Sequence, residues 1–163
     1  MQESNKWTKP TRPTGGADRL EEELGFDGGP NIVSSPSADH GVACAFDTTN
    51  RSVFVGVTGA SWFVRLISAT GSMLWSTSGL PSGGAADAVV SGTVVWVVGT
   101  SGATGRIIKL DLETGAIQPL QNNLGKELHS IAASPSGDLV VAGMDATGVP
   151  AAWRLRASDL AVL

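Results

Sequence analysis

Tyrosine is absent from this 163-residue chain, cysteine occurs once, histidine twice, and only 16% of the residues are charged. Each scarcity excludes something. A single cysteine forms no intramolecular disulfide, and Cys44 lies in the apolar run Val42 to Phe46, where it reads as a small hydrophobic residue rather than a reactive thiol. The two histidines, His40 and His129, stand 89 residues apart, and no His, Cys or carboxylate spacing beside either completes a metal-ligand set. No metal and no other cofactor is expected. Clustered bases are missing as well: 11 Lys and Arg against 15 Asp and Glu leave a formal net charge of -4, so neither nucleic acid nor an anionic membrane surface is an expected partner. The longest apolar run, Val94 to Val98, has only the length of a strand. The first forty residues hold no apolar segment of signal-peptide length, which favours the cytoplasm while the sequence itself fixes no compartment.

What the chain does have is glycine, at 21 positions, and a 42% apolar content arranged in short runs. Residues 1–38 mix Pro10, Pro13, Gly15-Gly16 and Gly28-Gly29-Pro30 with half of the acidic excess, and predict a largely disordered leader. Within it, Asp18 with Glu21 three residues on, Leu20 and Leu24, and a Gly25 stop predict a short helix over 19–24. From residue 39 a period-two pattern takes over and repeats. Gly56, Gly99 and Gly143 are 43 and 44 residues apart, and the turn pairs Thr70-Gly71, Thr114-Gly115 and Ser158-Asp159 recur every 44. A period of that size filled by short strands is the mark of a propeller blade. The expected fold is all-β and β-propeller-like, with about three four-stranded antiparallel blades over roughly 40–80, 84–121 and 127–163, an incomplete ring. The second strand of each repeat is apolar on nearly every residue (Val53 to Val55, Val94 to Val98, Leu139 to Ala142), so both of its faces should be covered.

The turn segments resemble known repeats. Phe63 to Trp75 is similar to the strand-turn-strand signature of quinoprotein-type propellers, in which a Leu-Asp-x-x-Thr-Gly turn precedes an aromatic, and Leu110-Asp111-Leu112-Glu113-Thr114-Gly115 matches that turn more fully. His129-Ser130, Ser134-Pro135-Ser136-Gly137, Gly143, Asp145 and Trp153 resemble the WD-repeat pattern, with Trp153-Arg154 in place of the closing Trp-Asp. These are packing and turn residues, so the resemblance implies a fold and not an activity. Such families close rings of six to eight blades. Three blades leave an apolar sheet face bare at each end, which implies further blades, a protein partner or self-association.

No reactive constellation stands out. Asp111 and Glu113 could form a carboxylate pair, but Asp111 is better placed to bond the backbone of its own turn. No Gly-x-Ser-x-Gly elbow occurs, and Gly99 to Gly105 lacks the Lys and the following helix of a phosphate loop. No catalytic residue is assigned. Trp62 and Trp153, each opening a third strand beside a glycine-rich loop, are the residues to test as stacking platforms, with His129 at the mouth of an innermost strand as a further ligand contact. The expected function is a non-catalytic binding or scaffold module. Two alternatives are a fragment of a quinoprotein-like oxidoreductase and an extracellular glycan-binding propeller, the second favoured by the Ser, Thr and Gly content; separately, Asn50-Arg51-Ser52 is a glycosylation acceptor relevant only to a secreted protein.

Overall fold

The computed structural model describes residues 40–163. The leader and the helix over 19–24 lie outside the described residues. Eleven strands make up the rest: β1 His40–Phe46, β2 Ser52–Thr58, β3 Ser61–Ile67, β4 Met73–Thr77, β5 Gly84–Ser91, β6 Val94–Ser101, β7 Thr104–Asp111, β8 Ile117–Asn123, β9 Glu127–Ala133, β10 Leu139–Met144 and β11 Pro150–Leu155. They form three antiparallel meanders: a first sheet β1-β2-β3-β4, a second β5-β6-β7-β8 and a third β9-β10-β11. The protein is all-β, with blade-like sheets stacked face to face.

Side-chain alternation along the strands builds the stack. Val53, Val55, Trp62, Val64 and Leu66 of the first sheet pack with Ala88, Val95, Val97, Ile108 and Leu110 of the second in one core. The other face of the second sheet sends Trp96, Val98 and Ile107 into a second core with Leu128, Ile131, Leu139, Val141 and Leu155 of the third. Along β6, Val95 and Val97 therefore point one way and Trp96 and Val98 the other, as a period of two demands. Of the second strands of the three sheets, only β6 is covered on both faces. In β2 Phe54 is half-buried, and in β10 Val140 is exposed, because no described sheet lies beyond the first or the third.

The repeated glycine has a backbone cause. Register slips in the innermost strand of every sheet, between Gly41 and Ala43, between Ala85 and Asp87, and where Ser130 and Leu128 pair with Ala142 and Gly143. Val42, Ala86 and His129 are thus the extra residues of three equivalent bulges. Opposite each bulge sits Gly56, Gly99 or Gly143. A Cβ on Gly99 would approach the Gly84 carbonyl oxygen to 2.3 Å, and one on Gly143 the Glu127 carbonyl oxygen to 2.0 Å. Only glycine lets the bulged strand come so close.

The third sheet departs from four strands. Its last segment contributes one bridge, Leu155 with Val162, framed by the Arg156 N–H to the Ala161 carbonyl and the Leu163 N–H to the Arg154 carbonyl, each at 2.9 Å. The spacing of 44 aligns Asp159 with Gly115, yet the left-handed residue is Leu160, at φ 57°. Its N–H reaches the Arg156 carbonyl as the Gly115 N–H reaches that of Asp111, and its side chain is buried in the second core. Burial of Leu160 sets that turn, in place of glycine's freedom.

Candidate interaction faces

Chemistry in this structure concentrates where one sheet meets the next. At the outer rim of the first junction, Trp75 Nε1–H donates to the Leu112 carbonyl at 2.9 Å and Thr77 Oγ1–H to the Gly115 carbonyl at 2.7 Å. Gly115, at φ 69°, lets the turn slide under the indole, since a Cβ there would lie 2.6 Å from the Trp75 ring. Asp111 holds the turn by accepting from the Glu113 and Thr114 N–H groups and from the Thr114 hydroxyl. The Thr114 hydroxyl bond leads in keeping its carboxyl below the usual range. Asp111 therefore works within its own turn, and Glu113 works elsewhere. Glu113 receives both Arg51 terminal nitrogens, at 2.9 and 2.7 Å, while Arg51 Nε donates to Asp47 at 2.6 Å.

These contacts polarise the three groups. Burial pushes the Asp47 carboxyl up, but hydrogen bonds from Arg51 and Thr49 together outweigh it and bring it down to about 2. The bonds to Glu113 and then to Asp47 raise the Arg51 guanidinium, and Glu113 is lowered chiefly by Arg51. This ion network links the turn after β1 to the turn after β7, with Arg51 held between the sheltered Asp47 and the exposed Glu113.

The second junction is fastened on the inside. Asp87, on β5, accepts from the Ser130 hydroxyl and the Ile131 N–H of β9, both at 3.0 Å, and from the Ala88 N–H at 2.8 Å. The sequence reading missed Asp87 altogether. A carboxylate immediately after a bulge position was the available signal, but the bulge itself could not be seen without the register.

The three residues singled out from sequence are not brought together. Trp62 is no surface platform: its exposure is 0%, and it lies inside the first core against Gly99. Its glycine-rich surroundings admit a buried ring rather than present an exposed one. Its indole N–H finds no protein acceptor, so packing alone holds it. Trp153 is half-buried and packs against the second core, over Gly125. His129 is the exposed bulge residue of β9, with Nε2 3.5 Å from Glu127 Oε2. Among the described residues no three His, Cys, Asp or Glu side chains converge as a metal-holding group, and no helix is long and apolar enough to cross a membrane.

Among the described residues, the pair of end faces stands open. On the first sheet Cys44 is in register with Phe54 and Phe46 with Ser52, which puts them on the side away from the second sheet, with Phe63, Arg65 and Ile67. There Phe54 and Phe63 pack with ring centroids 5.8 Å apart, and the Arg65 guanidinium lies 4.4 Å over the Phe63 ring. Phe46 remains 68% exposed, and Cys44 is exposed beside it. On the third sheet the side away from the second carries Val140, Ala142, Ala152 and Arg154, with Arg154 paired to Asp138 at 2.7 Å.

Fold and faces together define a class of protein, an all-β stack of blade-like sheets. No protein-family model matches the chain, and no curated protein matches it. Among solved structures it is similar to a protein of unknown function from Bacteroides caccae, with a TM-score of 0.59 and 14% identity over 80% of this chain and 47% of that one. A protein from Lactobacillus plantarum shows a TM-score of 0.49 and 13% identity over 76% of this chain and 41% of that one. The chain thus spans less than half the length of either. At such identities the likeness is one of fold.

Proposed function

We propose that this chain is a non-catalytic, propeller-type binding or scaffold module whose end sheets are assembly faces for further blades. The observation that carries this reading is the outer face of the first sheet, where Phe46 is 68% exposed although its equivalents in the next two sheets, Val90 and Ala133, pack against the cores between sheets. A position that is interior in two repeats out of three is built to be covered in the third. The described residues support the non-catalytic part in a positive way: the polar groups of the turn that resembles quinoprotein repeats, Asp111 to Gly115, are engaged in the turn and in the junction.

Cys44 reports on this directly, because the chain's one thiol lies on the face in question. The reading expects slow reaction with a thiol reagent such as Ellman's in the assembled native protein, and fast reaction in urea. A folded chain whose Cys44 reacts as fast as a free thiol at every protein concentration overturns it.

A further inference from the structure

Resting on that assembly reading, we infer that the occupant of the open faces is a second copy of this chain, stacked head to tail, so that the first sheet of each copy seats on the third sheet of the other. Repeat equivalence motivates this. Counting back from the repeated glycine, the residues one and three positions earlier point toward the following sheet: Val55 and Val53, then Val98 and Trp96, then Ala142 and Val140. The residue two positions earlier points toward the preceding sheet: Phe54, then Val97, then Val141. The open side of the third sheet is therefore of the kind that meets a following sheet, and the open side of the first is of the kind that meets a preceding one. Each bare face is by type the complement of the other.

Volumes agree. On the third sheet Ala142 and Ala152 stand where the second sheet has Val98 and Ile107, so this face is shallower than its interior equivalent. On the first sheet Phe54 and Phe46 stand where the second has Val97 and Val90, so this face is taller. Bulk missing from one face is present on the other, which is what close packing across a shared junction requires. Area points the same way. With strands about 4.8 Å apart and ~3.3 Å per residue, the open face of the four-stranded first sheet covers roughly 400 Å² and that of the three-stranded third sheet roughly 300 Å². Two head-to-tail junctions, each limited by the smaller face, then bury on the order of 1,200 Å² counted over both partners, at the lower bound of stable interfaces, whereas first sheet on first sheet buries roughly 800 Å² and falls below it. Two copies related by a two-fold axis supply six sheets and leave neither face bare.

The test uses the full chain and two variants on exposed residues, Phe46→Glu and Val140→Glu, one on each face. Light scattering of the unaltered chain should give twice the chain's mass, with Cys44 protected and becoming reactive as dilution dissociates the pair. Each variant alone should associate at least tenfold more weakly, since each places a charge in both junctions. Mixed together they should form a heterodimer tighter than either variant alone, because one of its two junctions is then unaltered. A monomer at all concentrations overturns the inference. Were Cys44 protected in that monomer, the chain itself would cover the first sheet and the assembly reading would fall with the inference. A dimer that Val140→Glu leaves intact also overturns it, because the pairing would then be first sheet on first sheet.

Discussion

The two junctions of this stack share one architecture and are fastened at opposite ends. Between the first and second sheets the locks are on the outer rim, with Trp75 and Thr77 on the Leu112 to Gly115 turn and Arg51 on Glu113. Between the second and third they are on the innermost strands, where one carboxylate, Asp87, reaches across to Ser130 and Ile131. The difference follows from side chains and not from which strands exist. The second sheet has its fourth strand, and the third has an equivalent turn at Arg156 to Leu160, but Pro119 stands 44 residues after Trp75 and has no N–H to donate to that turn. Backbone bonds do repeat, from the Trp62 N–H to the Pro81 carbonyl and from the Gly105 N–H to the Gly125 carbonyl, both at 3.3 Å, whereas the side-chain fasteners are local solutions laid over a common apolar packing.

That contrast can be broken by experiment. The largest effect is expected from Trp62→Ala, which empties the middle of the first junction and should cost about 3 to 5 kcal/mol in denaturant unfolding. Hydrogen exchange should then speed up in β2 and β3 before it does in β10; uniform acceleration would mean that the junctions do not loosen independently. Asp87→Ala acts on the other side. Removing the acceptor leaves the Ile131 N–H unpaired at a buried residue, for about 1 to 3 kcal/mol, and exchange should quicken in β9 while the Trp75 environment stays unchanged by fluorescence.

The smallest effect sharpens the comparison by pH. Folded Asp47 and Glu113 both titrate below their ordinary values near 4, so the unfolded chain binds their protons first and their contribution is present above that range. The Asp47 share should be lost as pH falls from about 4 toward its folded value of about 2, and the Glu113 share as pH falls below its ordinary range. Arg51→Met should flatten the acid limb of a melting-temperature profile. An acid limb unchanged by that substitution would show that the rim network contributes nothing measurable.

Much of the fold was legible because its cause is local. Gly56, Gly99 and Gly143 could be counted, the apolar runs around them had strand length, and Asp111-Leu112-Glu113-Thr114-Gly115 carries its turn chemistry within five residues. The candidate site was far less legible. Trp62 and Trp153 look alike in sequence, each a tryptophan beside glycines, yet one is sealed in the first core and the other half-covers the second. A glycine-rich neighbourhood signals close approach, and what approaches depends on the neighbouring sheet. Asp87 gave no signal of its own, because its partners lie 43 and 44 residues away. The spacing of 44 also misplaced the last turn by one residue, since Leu160 is held left-handed by burial.

Sequence by itself determined the period, the strand lengths and the glycines that bulged strands require, because steric limits and two-residue alternation act within a few residues of each position. Tertiary structure alone decided which side of each strand is interior. Alternation creates two faces without saying which of them a neighbour will cover, and so only the stack reveals that Val97 is enclosed while Phe46, in the face of the same type, is left open.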